Sequence, residues 1–277
     1  MAGPQVVEPV LSTRRRAALL SSVVAVMIAA ELLLVLAAVA RLDLLALLGL
    51  IVDVVLVLSL PVLAALTIPK DRPLGQFLGA LVLAPLLRVV SVSTPLAHFS
   101  LIQWLGILAV PLLIAGAAII EAQGLRPRDV FLGVGKRRYL PLNAALVVSG
   151  LPLGFLEYQI LHPPPTTWIS APDPGQLTFA AIVAFFSTGL AEELIFRGIL
   201  LRTGIPVLGL RGTVLYVTLV FAVLHIGFMS WADLLLVVLL GLLFSGVVVS
   251  TGSLWGAAGA YALANVALYV LFPLGLL

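Results

Sequence analysis

The stretch LTFAAIVAFFSTGLAEELIFRGILL, residues 177–201, contains no proline and no charge before Glu192. As an α-helix it would be roughly 37 Å long, enough to cross a hydrocarbon core of about 30 Å. Three ionisable side chains interrupt it: Glu192, Glu193 and Arg197. One ion at the bilayer centre costs at least ~2.5–3.5 kcal/mol on insertion scales, so three within six positions need a purpose. The stretch reads as a membrane span that carries a polar site.

The rest of the chain agrees. It is 62% hydrophobic and 10% charged, with a mean hydropathy of +1.24. Soluble domains carry about 25% charged residues, so a soluble enzyme is excluded. The expected fold is all-α: a polytopic transmembrane helical bundle of about eight to nine spans. Apolar runs place candidate spans near 17–40, 43–68, 74–92, 101–120, 139–158, 176–201, 213–229, 233–250 and 253–272. No polar stretch is long enough for a second core, so residues 1–277 read as one membrane domain. Within it, 1–138 form an N-terminal half with a basic cytoplasmic loop, and 139–277 form the core that carries the polar motifs. The run 17–40 exceeds a signal-peptide apolar region and is read as a retained first helix. With no cysteine, a disulfide framework, thiolate zinc site or cysteine nucleophile is excluded.

Basic residues choose an orientation. With the N-terminus inside, cytoplasmic segments hold Arg14, Arg15, Arg16, Lys70, Arg72, Arg126, Arg128, Lys136, Arg137, Arg138, Arg202 and Arg211. The opposite side holds Arg41 alone, while Arg88 and Arg197 fall within spans. Twelve against one is a strong positive-inside bias. The expectation is a multi-pass plasma-membrane protein of a prokaryote with a cytoplasmic N-terminus and, at nine spans, an external C-terminus. The net charge of +3 reports topology, and nucleic acid is not an expected partner. The loop 121–138 is expected to lie along the cytoplasmic membrane surface.

Three polar side chains far apart in sequence reach one depth. Glu192 lies ~14 Å from the cytoplasmic end of its span if that end is Leu201, and His225 and Asn265 each lie ~18 Å from Thr213 and Ser253. Glu193 and Arg197 are spaced i,i+4 with the acid first, the favourable order for a pair. Glu192 is turned away from them by about 100° and is free to face another helix. His225 shares a helix face with Phe221, and Asn265 shares one with Tyr261. A carboxylate opposite an imidazole can activate water, directly or on a metal, and an amide beside them can bind an oxyanion. These parts suit hydrolysis of an amide bond within the membrane.

Glu192-Glu193-x-x-x-Arg197 followed by Phe221-x-x-x-His225 resembles the first two motifs of the CAAX-protease and bacteriocin-processing (CPBP, or Abi) family of intramembrane proteases. The family's third motif is His-x-x-x-Asn or His-x-x-x-Asp; the corresponding stretch here is Tyr261-Ala-Leu-Ala-Asn265. The likeness covers roughly 176–272. It implies an endopeptidase whose cavity opens toward the cytoplasmic leaflet and acts on a membrane-associated peptide or protein substrate within the lipid bilayer. It implies Glu192, His225 and Asn265 as catalytic residues, with Glu193, Arg197, Phe221 and Tyr261 supporting. Family members have been described as metal-dependent and as glutamate-type, so a divalent metal such as zinc on Glu192 and His225 stays open. Tyr261 replaces the usual histidine and is a poor metal ligand near neutral pH. It leaves a second reading open, a non-catalytic scaffold or immunity factor on the same fold. A transporter ranks third.

The remaining polar residues read structurally. Glu31, Asp53 and Arg88 are expected to form an intramembrane ion-pair group that holds the N-terminal half together. Glu157 is expected at the outer interface and His98 and His162 in external loops. Trp104, Trp168, Trp231 and Trp255 are expected as interfacial anchors.

Overall fold

The computed structural model describes residues 11–94, 99–163 and 173–277. His98 and Trp168 lie outside the described residues. Among the described residues all regular structure is helical. The chain runs α1 (Thr13–Ala40), α2 (Asp43–Thr67), α3 (Arg72–Leu81), α4 (Leu83–Ser93), α5 (Leu101–Ala122), α6 (Leu140–Leu161), α7 (Pro174–Ala184), α8 (Leu201–Val223), α9 (Trp231–Thr251) and α10 (Trp255–Val266). Two π-helical segments, Phe185–Glu192 and Leu194–Leu200, join α7 to α8. Seven of these helical stretches are long and apolar enough to cross a membrane, and Trp255–Leu271 is a shorter apolar one. The protein is therefore a multi-pass helical membrane protein. Leu44, Leu47, Ile51, Val55, Leu58 and Val62 of α2 are exposed, as apolar side chains facing lipid should be.

Two predicted boundaries shift. The span expected to end at Leu201 continues into one helical stretch, Pro174–Phe228, interrupted at Gly209. There φ is 71° and ψ 169°, a region essentially reserved for glycine. The chain reverses at this point: a Cβ on Gly204 would come within 2.5 Å of Thr213, so the limbs on either side are antiparallel and in close contact. Leu201 failed as a boundary because the polar Arg202 and Thr203 continue a helix that Gly209 alone ends. The second limb stops at Val223, and His225 lies just past its end rather than inside a span.

The basic loop does more than lie on the membrane surface. Val130 is fully buried, Leu254 N–H donates to the Phe131 carbonyl, Lys136 N–H donates to the Thr251 carbonyl, and Trp255 Nε1 donates to the Leu132 carbonyl. These bonds satisfy backbone groups at the end of α9 and the start of α10 and fasten the loop under the bundle.

Small residues set the position of α10. A Cβ on Gly150 would lie 2.3 Å from the Ala260 carbonyl, one on Gly154 2.4 Å from the Ala264 carbonyl, and one on Gly189 2.6 Å from the Ala258 carbonyl. With no water to expel between helices in lipid, close backbone approach through glycine and alanine supplies the packing. The stretch Trp255–Val266, with its run of alanines and glycines, is thus wedged between α6 and the π segment that carries Glu192. That wedge brings Tyr261 and Asn265 to Glu192.

Candidate active site

A cavity of ≈ 150 Å³ is lined by Glu192, His225, Tyr261 and Asn265, with Phe196 and Phe221 also lining it. The residues singled out in sequence on three different helical segments therefore meet. Glu192 is half-buried, whereas its neighbour Glu193 is fully buried and Arg197 nearly so. Arg197 Nη1 donates to Glu193 Oε1 at 2.8 Å, the expected i,i+4 pair. These two face a separate small cavity lined also by Glu157, Phe244 and Tyr261. Adjacent glutamates thus serve different spaces.

The helix that makes this division is π-helical on both sides of Glu193. Such segments are rare in helices and frequent at functional sites. Two hydroxyls inside it turn back on their own helix, Ser187 Oγ to the Val183 carbonyl and Thr188 Oγ to the Ala184 carbonyl. Back-bonding of this kind bends helices.

Phe221 is the partition between the two spaces. Its ring lies 4.3 Å from the Arg197 guanidinium carbon and 4.7 Å from the His225 ring centroid. The cation–π contact helps hold an arginine whose Nε has no hydrogen-bond partner. The same ring walls the imidazole, as the i,i+4 spacing suggests.

His225 and Asn265 each have one polar group committed and one free. His225 Nδ1 lies 2.9 Å from the Phe221 carbonyl, which can only accept, so Nδ1 carries the proton and Nε2 keeps a lone pair. Asn265 Nδ2 donates to the Tyr261 carbonyl at 3.0 Å, leaving its second N–H. The Tyr261 phenol lies alongside the Glu192 carboxylate.

Several lining residues escaped the sequence reading. Ser187 and Thr188 precede Glu192 by about one turn, and Tyr269 continues the four-residue spacing of Tyr261 and Asn265. Both were legible as helix periodicity. Arg88 and Trp104 were not, because they come from the N-terminal half and only tertiary packing brings them here. Trp104 is a cavity wall more than an interfacial anchor; its Nε1 donates to the Ser91 carbonyl. Trp231, 86% exposed at the start of α9, fits the anchor expectation.

Two structural expectations need correction. Glu157 is buried rather than interfacial, because α6 presses its Gly150 and Gly154 face onto α10 and carries Glu157 inward with it. The Glu31–Arg88–Asp53 group exists, with Arg88 Nε and Nη2 donating to the two Glu31 carboxylate oxygens and Asp53 buried nearby. It does not serve the N-terminal half alone, since Arg88 Nη2 also donates to the Leu224 carbonyl beside His225 at 2.8 Å.

A metal fits this donor set poorly. Catalytic zinc takes three strong protein ligands, and among the described residues no three histidine or carboxylate side chains gather for one. Glu192 and His225 supply two, and the neighbouring groups are a phenol and an amide.

The cavity also has a side. Leu101 begins α5, Ser91 nearly ends α4, and Leu224, His225 and Phe228 follow α8. All of these lie at the end of the bundle away from the basic loops. A cytoplasmic N-terminus and a cavity open to the cytoplasmic leaflet were both expected. With these helix directions only one of them holds.

Residues 174–267 match the family model described as type II CAAX prenyl endopeptidase Rce1-like. No curated protein and no solved structure matches the chain. The match spans every residue of the polar constellation, from Glu192 through Arg197 and His225 to Asn265, and in that segment the chain is similar to the Rce1-like endopeptidases.

Proposed function

We propose that this protein is an intramembrane endopeptidase in which Glu192 activates water against a peptide carbonyl. The observation that carries the reading is the convergence of Glu192, His225 and Asn265 on one cavity while Glu193 and Arg197 face another. Glu192, half-buried on the wall, accepts a proton from water. His225, with Nδ1–H held by the Phe221 carbonyl, offers the Nε2 lone pair to orient that water. The water oxygen bonds to the scissile carbonyl carbon, and the oxygen that becomes negative accepts the free N–H of Asn265. The proton held by Glu192 passes to the leaving amide nitrogen as the C–N bond breaks. A low-dielectric setting strengthens each of these contacts.

The test is cleavage of quenched apolar peptides, prenylated and unprenylated, by detergent-solubilised protein. Glu192→Gln keeps shape and removes the base, so cleavage should fall by ~10²–10⁴-fold with thermal stability unchanged. Full activity in the glutamine variant would remove Glu192 from the chemistry.

Tyr261 favours a second reading, a scaffold that keeps the fold and holds peptides uncut. Here the native chain would cleave nothing, while Tyr261→His would confer cleavage.

A further inference from the structure

We propose that the cavity takes its polypeptide from the external side of the membrane, as an apolar segment held in the outer leaflet. The class of substrate rests on the protease reading; the side does not. The helix directions gather the twelve flanking basic residues at one end of the bundle, and contacts tie the segments that carry some of them together there. Arg16 Nε bonds Asp71 Oδ2 at 2.7 Å, Lys136 Nζ donates to the Ser250 carbonyl, and Gln123 Nε2 donates to the Gln76 carbonyl. Helices α1, α3, α6, α10 and the second limb of α8 all start from this end. The opposite end has Arg41 as its basic residue among those described.

Basic residues flanking spans are retained on the cytoplasmic side, and a bias this large sets the orientation. Arg88 does not weigh against it, since its charge is spent on Glu31 and the Leu224 carbonyl inside the bundle. The cavity reaches the non-basic end, where Phe228 is exposed and Leu101 partly so. Its wall there, with Leu87, Leu101, Leu105 and Phe228, suits apolar side chains. A tail presented by the cytosol would meet the basic end, where α3, the first limb of α8 and the fastened loop 123–136 lie between it and Glu192. The substrate class this leaves is an exported peptide or the external segment of a membrane protein.

The absence of cysteine makes the test direct. Trp231→Cys and Met229→Cys place thiols at exposed positions beside the cavity end, and Val134→Cys places one at an exposed position of the basic end. A membrane-impermeant maleimide is applied to intact cells and again after permeabilisation. Both variants at the cavity end should be labelled in intact cells, with no gain on permeabilisation, and the Val134→Cys protein should be labelled only once the membrane is opened. The reverse pattern overturns the proposal whatever the protein cleaves. A second arm uses sealed vesicles whose orientation the same labels report, with a water-soluble peptide from the panel cleaved in detergent. Cleavage from the Val134 side alone also overturns the proposal. Failure to cleave any peptide in detergent overturns the protease reading instead, and the labels still decide the side.

Discussion

Two arginine–glutamate pairs are buried in this bundle, and they are built differently. Glu193 and Arg197 belong to one helical segment, with side chains 0% and 1% exposed. Three rings, Phe196, Phe221 and Phe244, lie within 5.9 Å of the guanidinium carbon. Glu31 and Arg88 lie 57 positions apart on separate helices, and Arg88 is 17% exposed on the main cavity. The first pair braces the back of the site without touching its cavity. The second ties the N-terminal half to the backbone next to His225. An ion pair in lipid can thus be a brace or a hinge pin for chemistry, and position relative to the cavity distinguishes the two.

Breaking the brace should produce the largest effect. Arg197→Ala leaves Glu193 fully buried with no cation, and removal of one member of a buried pair costs ~3–5 kcal/mol. Folded yield and the melting temperature in detergent should both fall sharply. A variant that expresses and melts like the parent would show that the aromatic cage and Glu193 do not depend on Arg197.

These two pairs also show what was legible in the sequence. The brace could be read from spacing alone, since i,i+4 geometry is local and survived even where the helix became π-helical. Membrane class, the division between Glu192 and Glu193, and the face shared by Phe221 and His225 were legible for the same reason. The role of Arg88 was hidden because α4 meets the end of α8 only in three dimensions. Glu157 misled because distance from a span end says nothing about which helix covers it. The glycines that press α6 onto α10 looked like ordinary apolar composition until their neighbours were known. The end of the bundle at which the cavity lies was not legible, because it depends on helix directions and tertiary packing that no local spacing reports.

The hinge pin should show the opposite balance. Arg88→Ala leaves Glu31 near the partly open cavity, where water can reach it, so the melting temperature should fall less than in Arg197→Ala. Peptide cleavage should suffer more, because the Leu224 carbonyl loses its donor and His225 its fixed backbone. A loss of about tenfold in kcat/KM, or ~1.4 kcal/mol, is expected. If Arg88→Ala melts as early as Arg197→Ala with proportionate loss of activity, both pairs are braces and the distinction fails.

The smallest effect belongs to Tyr261, which touches both spaces and so tests where the boundary between them lies. Its ring lies 6.1 Å from Phe221, and its phenol lies alongside Glu192. Tyr261→Phe keeps the ring and therefore the partition, removing only the hydroxyl. If the phenol orients the water that Glu192 activates, kcat should drop by a few-fold, the scale of one neutral hydrogen bond of about 1 kcal/mol. The melting temperature should hardly move, since the aromatic packing is intact. A drop as large as that of Glu192→Gln would make the phenol a proton donor in the reaction rather than an orienting group. Tyr261→His sharpens the same point from the other side. It adds a third strong donor near Glu192 and His225, so added zinc should raise its melting temperature while leaving that of the parent unchanged. Stabilisation of both proteins by zinc would mean that Glu192 and His225 already suffice to hold the ion, against the donor count made from the cavity.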